Sequence, residues 1–401
     1  MVTVAEAEGI IRSQVRHYGT ETVAYQHAQG RILAENLLAD RDLPPFNRAM
    51  VDGIAIHFDS YQHGIRSFEI GGVQAAGDMP IPLTAPHGCI EIMTGAALHP
   101  TFDTVVKIED IRINDGVAYL NTPLVKKGMY VHAKGSDKKE HELVAAANTV
   151  VTPALIGLAA SIGKTELLVR KPPRVIIITT GDEMVSPSEH PTPYQLRRSN
   201  GITIQAVLQQ YAVSADLLHL PDDHDLIKRE LSRCIGEYDV LLMCGGVSKG
   251  KFDYVPNVLD ELATKKLFHG VLQKPGKPFF FGSHGDNALI FAFPGNPVST
   301  FMCLHRYFIP WLTNTLTLKP PILEYAILQH DLSIAGNLQY FAQVRLQSDE
   351  HARLYASKVE YNNSGDFSQL SYTDAFMEFP LGDNTAKKGA CYRIWRYHFN
   401  K

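Results

Sequence analysis

Apolar residues recur at helical spacing near the start of the chain. Ala7, Ile10, Ile11 and Val15 share one face, and Thr3 with Glu6 forms the capping-box pattern ahead of them, so the opening segment is predicted to be a helix. From Asp40 to Asp137 the rhythm changes. Short apolar runs are broken by Gly71-Gly72, Gly77, Pro80, Pro82, Pro86, Gly88 and Gly95, the punctuation of a β-rich unit with many turns. A helix returns at TPALIGLAASIG, with Thr152 as N-cap, Pro153 in the first turn and Gly163 just past the end. RVIIITT, residues 174–180, then reads as a buried strand. After it come a helix presenting Ile204, Val207, Leu208 and Tyr211, a strand near Val213–His219, a helix from Asp225 to Ile235, and the strand Asp239–Cys244. This alternation predicts a parallel sheet covered on both faces, with ligands beyond the carboxyl ends of its strands. Past Lys319-Pro320-Pro321, YFAQVRLQ and CYRIWRYHF alternate in part and predict a small all-β domain.

With 401 residues the chain exceeds one compact core. The expected fold class is multidomain α/β and β. A three-layer parallel α/β domain covers 171–318, a helical linker domain combines 1–39 with 139–170, a β-rich domain is inserted at 40–138, and a β-barrel-like domain occupies 319–401.

A formal charge of −4 gives no footprint for nucleic acid or an anionic membrane. No apolar run is long enough to span a bilayer, and the N-terminus lacks the basic and apolar regions of a signal peptide. The five cysteines are scattered and never spaced C-x-x-C. They read as small buried residues of a reducing cytoplasm, not as a disulfide frame or zinc site.

Candidate chemistry gathers in loops that follow strands. LLMCGGVSKGKFDY, residues 241–254, nearly spells a nucleotide-hydrolase phosphate loop through Gly245, Gly250 and Lys251. Phe252 stands where that loop needs a hydroxyl for magnesium, so the match fails. Gly245 and Gly246 still let backbone approach an anion, Ser248 can donate a hydroxyl, and Asp253 can either cap the next helix or face a ligand. Gly181-Asp182-Glu183 places two carboxylates after a strand, fit for hydrated Mg²⁺ or for a simple cap. Asp222 and Asp223 follow Pro221, and one of them caps the next helix. In QKPGKP, Lys274 and Lys277 sit on a stiff turn that aims two cations at a compact oxyanion. Pro294-Gly295-Asn296-Pro297 makes a second rigid turn, with Asn296 placed to cap a helix or touch ligand. Glu183, Asp222 and Asp253 would surround phosphate-bound Mg²⁺, so the chemistry points to an anionic, phosphorylated ligand with magnesium.

PPFNRAMVDGIA (44–55), IMTGA (92–96), TPALIGLAASIG, TTGDEMV (179–185), RRSN (197–200), GGVSKGKFDY, KPGKP and FPGNPVS occur in order over nearly the whole chain. Together they resemble the molybdopterin molybdenumtransferases, the MoeA-like proteins that include the E domain of gephyrin. The resemblance implies an elongated, cytoplasmic homodimer with a pterin-binding α/β domain. It implies insertion of molybdenum from molybdate into the dithiolene of adenylylated molybdopterin, with release of AMP. Functional positions carried over by motif are Asp52, Thr94, Glu183, Asp222 and Asp253, with the lysine turn at Lys274 and Lys277. Asp52 and Thr94 would face the other subunit's α/β domain in a shared active site. The resemblance also implies transient contact with molybdopterin adenylyltransferase and with apo-molybdoenzymes. The chain departs from the pattern at Ile54, after Ala96, at Arg198 and in SGDFSQLSYTDAFMEFP, where no functional residue is carried over.

Three other readings compete. A nucleotide phosphohydrolase is opposed by Phe252. A non-enzymatic scaffold would not need the acidic residues and both lysines. An adenylyltransferase-like enzyme would not need the N-terminal and C-terminal domains.

Overall fold

The computed structural model describes residues 1–83, 85–247, 254–320, 322–334, 336–360, 365–382 and 385–397. At its centre lies a six-stranded sheet. In spatial order its strands are Ala215–Leu220, Val175–Thr180, Val240–Cys244, Ala288–Phe293, Phe280–His284 and Lys265–His269. The first four run parallel, as the alternation of strands and helices predicts, while the last two pair antiparallel. The reversal follows from connection length. Residues 285–287 alone join Phe280–His284 to Ala288–Phe293, too few for the crossover a parallel pairing needs.

Both faces of this sheet are covered. Ile176, Ile178, Leu241 and Met243 pack with Ile227, Leu231, Val255 and Val258. Ile177, Leu242 and Phe291 pack on the other side with Val4, Ala7, Ile204 and Leu208. The opening helix Val4–Arg12, with its Thr3–Glu6 capping box formed, therefore buries its apolar stripe in the α/β core.

A second six-stranded sheet holds Thr104–Lys107, Gly53–Ile56, Gly88–Ile92, Ser67–Gln74, Val117–Leu120 and Ile111–Asn114 in that order. Gly53 is fixed by contact, since a Cβ there would lie 1.9 Å from the backbone oxygen of Val106 on the paired strand. Backbone cannot retreat as a side chain can. Gly53→Ala is expected to cost at least about 3 kcal/mol, read as a lowered denaturation midpoint; an unchanged midpoint would refute this reading.

Thr20–Ala24 pairs antiparallel with Glu166–Arg170, and Leu155 and Ala159 of the helix Pro153–Ser161 share a core with Leu167 and Val169. Thr152 caps that helix and Gly163 turns the chain beyond it with φ +76°.

Near the C-terminus, Glu324–Leu328, Gln339–Ser348, Leu354–Lys358, Ala375–Phe379 and Cys391–Arg396 form a barrel. It closes because Gln339–Ser348 pairs with both Leu354–Lys358 and Ala375–Phe379. Gln273–Lys274 adds to Gln339–Ser348 as a parallel pair, which ties the lysine turn to the barrel. All five cysteines are free, but Cys391 is exposed, against the expectation that all are buried. It is the first residue of a barrel strand whose buried positions are Ile394 and Trp395. No described helix is long and apolar enough to cross a membrane.

Candidate active site

Three parallel strands, Val175–Thr180, Val240–Cys244 and Ala288–Phe293, end at one edge of the central sheet. Their loops bring Gly181 and Glu183, Gly245 and Gly246, and Pro294, Gly295 and Asn296 around one cavity of about 970 Å³. Asp222 joins them from beyond Ala215–Leu220. Pro278 also reaches this cavity. The strand it precedes is antiparallel, so its beginning lies at the edge where its neighbours finish, with Phe280 opposite Ala292.

The glycines have steric work here. Gly181 has φ +135°, and a Cβ on it would stand 2.6 Å from the Glu183 carboxylate folded above it. Gly246 has φ +66°, and a Cβ there would meet Thr180 Oγ1 at 2.9 Å.

The two carboxylates after Pro221 divide their tasks. Asp223 accepts from Leu226 N at 2.8 Å and caps the helix His224–Glu237, while Asp222 lines the cavity. Asp182 is not among the cavity residues; its carboxylate accepts from Asp222 N at 3.0 Å and holds that loop instead. Asn296 is the N-cap residue of Pro297–Cys303 but makes no side-chain cap bond. Asn200 donates to Gly295 O at 2.7 Å and fixes the second proline turn from across the cavity. Ser248 and Asp253, with Lys249, Gly250, Lys251 and Phe252, lie outside the described residues.

Lys274 and Lys277 are exposed and lie beside the cavity, not on its lining, with Pro278 as the link. Their turn is built from below. The fully buried Gln273 donates to Gly276 O at 3.0 Å and to Cys303 Sγ at 3.4 Å, and its oxygen accepts from the Tyr307 hydroxyl.

Asp52 and Thr94 sit apart, in the β-rich unit. Asp52 Oδ1 accepts from both Thr94 Oγ1 and Thr94 N at 2.6 Å. The side-chain bond, then the backbone bond, hold the Asp52 carboxyl below its usual range, so it is ionised at neutral pH. Neither residue lines the cavity.

The cavity also contains residues that sequence reasoning did not assign. Arg197, Arg198, Ser199 and Asn200 form one wall, and Gly365 with Phe367 reach in from the C-terminal region. The RRSN motif was a visible signal for the first group. Nothing local marked Phe367, which is delivered by the seating of the barrel. Among the described residues, no group of three or more His, Cys, Asp or Glu is placed to hold a metal ion.

Comparison with known proteins adds to this geometry. Family models match in succession: the MoeA N-terminal region (domain I and II) over residues 2–163, a probable molybdopterin binding domain over 176–314, and the MoeA C-terminal region (domain IV) over 325–395. A molybdopterin molybdenumtransferase from Synechocystis sp. is 38% identical over 400 residues, covering 99% of this chain and 100% of that one. One from Bacillus subtilis is 26% identical over 385 residues, covering 94% and 89%. The crystal structure of a molybdopterin biosynthesis MoeA protein from Pyrococcus horikoshii superposes with a TM-score of 0.81 at 26% identity, covering 99% and 100%.

Proposed function

This chain belongs to the molybdopterin molybdenumtransferases, enzymes of molybdenum cofactor biosynthesis, and from that premise we propose how its own residues act. The substrate is adenylylated molybdopterin, bound in the cavity at the end of the parallel strands. Molybdate is the second substrate, and AMP leaves as the pyrophosphate link is cleaved. The observation that carries this reading is the convergence of Gly181, Gly245, Gly246 and the Pro294–Pro297 turn with Glu183 and Asp222 around one cavity. Backbone can approach phosphate closely at the glycines, and the carboxylates could hold a cation that would offset phosphate charge.

Hydrated Mg²⁺ takes one or two protein carboxylates and completes its shell with water and phosphate oxygens. Glu183 and Asp222 on one cavity fit that requirement, with Asp253 as the third expected ligand. When bound, the ion would offset charge developing on the cleaved phosphate. The protein's own part is positioning. Gly181 lets Glu183 fold inward, Asp182 fixes the Asp222 backbone, and the buried Gln273 braces the turn that aims Lys274 and Lys277 at molybdate. No covalent enzyme intermediate is required.

The chain works in this reading as a cytoplasmic homodimer. Asp52, ionised and hydrogen-bonded to Thr94, does not line its own cavity, and the pair completes the cavity of the partner subunit. In the expected division into 1–39 with 139–170, 40–138, 171–318 and 319–401, that pair belongs to 40–138 and most of the cavity to 171–318, an arrangement compatible with a shared site. Transient contact with the adenylyltransferase and with apo-molybdoenzymes would carry the pterin in and out.

The test supplies adenylylated molybdopterin, Mg²⁺ and molybdate and measures AMP. Molybdate-dependent release is expected, and Asp253→Ala is expected to abolish it. Release indifferent to molybdate would overturn the assignment.

A further inference from the structure

We propose that Arg198 is a phosphate-reading residue of the cavity, a specificity determinant that engages a phosphate of the bound substrate. This rests on the assignment of the cavity to an adenylylated pterin. Arg198 stands at a pinned place in the fold. Its N–H donates to Val185 O at 3.0 Å, continuing the short ladder between Met184–Val185 and Leu196–Arg197, and the helix Asn200–Gln209 begins two residues later. Its position on the cavity wall is thus set by backbone on both sides.

Among the described residues its charge has no answering partner. Arg198 is half-buried and lines the cavity, yet no ion pair joins it to any described carboxylate. Some arginines elsewhere are matched, as Arg174 is by Asp239 at 2.9 Å and Arg306 by Glu8 at 2.6 Å, whereas Arg198 is left facing the cavity. A guanidinium on a cavity wall without a counter-ion leaves its charge available to an anion, and a planar fork of donors suits two phosphate oxygens at once.

The neighbours favour Arg198 over other cations. Arg197, next to it on the same wall, is exposed, and its Nε donates to Glu189 O at 3.2 Å. His219 lies beneath, joined to Thr179 Oγ1 at 3.0 Å. Burial first, and then the positive charge of Arg198, hold His219 below its usual value, against the opposing pull of Glu183 and Asp182, so it is neutral at pH 7. The fixed positive charge on this part of the wall is therefore that of Arg197 and Arg198, and of the two Arg198 is the less exposed. Phosphate occurs at two places in the substrate, on the nucleotide side and on the pterin side, and the experiment separates them.

Equilibrium binding of AMP, adenosine and molybdopterin is measured on the full chain and on Arg198→Gln and Arg198→Lys. If the nucleotide phosphate is read, Arg198→Gln weakens AMP roughly ten- to a hundredfold, leaves adenosine unchanged, and Arg198→Lys recovers part of the loss. Unchanged adenosine binding also shows that the variant is folded. Loss confined to molybdopterin supports the same role on the pterin phosphate. If neither AMP nor molybdopterin weakens, or if adenosine weakens in parallel with AMP, the proposal is overturned. The transferase reading fails separately: wild-type chain without molybdate-dependent AMP release would sink that reading, while loss of AMP preference over adenosine in Arg198→Gln would still support Arg198 as a phosphate reader.

Discussion

Lys274→Ala is expected to lower molybdate-dependent AMP release roughly 10²–10³-fold, the usual scale for removing one preorganised charge from a reacting oxyanion. Molybdate is a small tetrahedral dianion, and the lysine turn is the group of cations best prepared to receive it. Preparation is visible in the bonds beneath. Gln273 is wholly buried, clasps Gly276 O, and is itself held by Tyr307, so little ordering remains to be done when the anion arrives. Gly276 has φ +87°, and a Cβ there would lie 2.7 Å from Cys303 Sγ, which keeps the turn seated on the helix below. The defect should appear as a raised requirement for molybdate with AMP binding nearly unchanged. A Lys274→Ala enzyme with wild-type molybdate dependence would remove the lysine turn from the reaction.

Arg306→Ala should give the largest loss of stability, about 3–5 kcal/mol, because it removes a buried guanidinium from between two partly buried carboxylates. The Arg306 side chain is 2% exposed and pairs with Glu8 at 2.6 Å and Glu378 at 3.1 Å. Glu378 accepts from Trp395 Nε1 at 2.6 Å, and Arg393 reaches Glu8 at 3.4 Å. One cluster thus joins the opening helix, the helical layer of the α/β core and the barrel. Burial acts to raise Glu8, but Arg306 and then Arg393 overturn it and hold the carboxyl below its ordinary value of 4.5. A carboxyl lowered in the folded state adds stability that is present above that value and lost as pH falls through the folded one. The adjacent His305, pushed down to about 3 by burial, has the same sign, its contribution fading as pH falls from 6.5 toward 3. Chemical denaturation at pH 7 and pH 4 checks both statements. The Arg306→Ala deficit should be large at pH 7 and smaller at pH 4; equal deficits would show that charge pairing is not what Arg306 contributes.

Much of this architecture was legible because local rules and tertiary packing agree. The capping box at Thr3, the Thr152 cap with Pro153, and the apolar runs at Val175–Thr180 and Val240–Cys244 each specify their element within a few residues. The glycine and acidic loops could be placed at one sheet edge because parallel strands all end on the same side. Less legible were features set by distant chain. Periodicity does not reveal that Phe280–His284 runs backward, although that reversal is what brings Pro278 and the lysine turn to the site edge.

The sequence by itself determined the element types, the family, and the short motifs whose residue chemistry suits phosphate and oxyanion. Those properties depend on neighbours a few positions apart. Only the tertiary structure decided which motif residues face the cavity and which hold others in place: Asp222 inward and Asp223 as a cap, Glu183 inward and Asp182 as a brace. It also brought Phe367 and Arg198 onto the same wall system. Side-chain direction at a loop is set by the packing of strands far apart in sequence, and no local pattern encodes that.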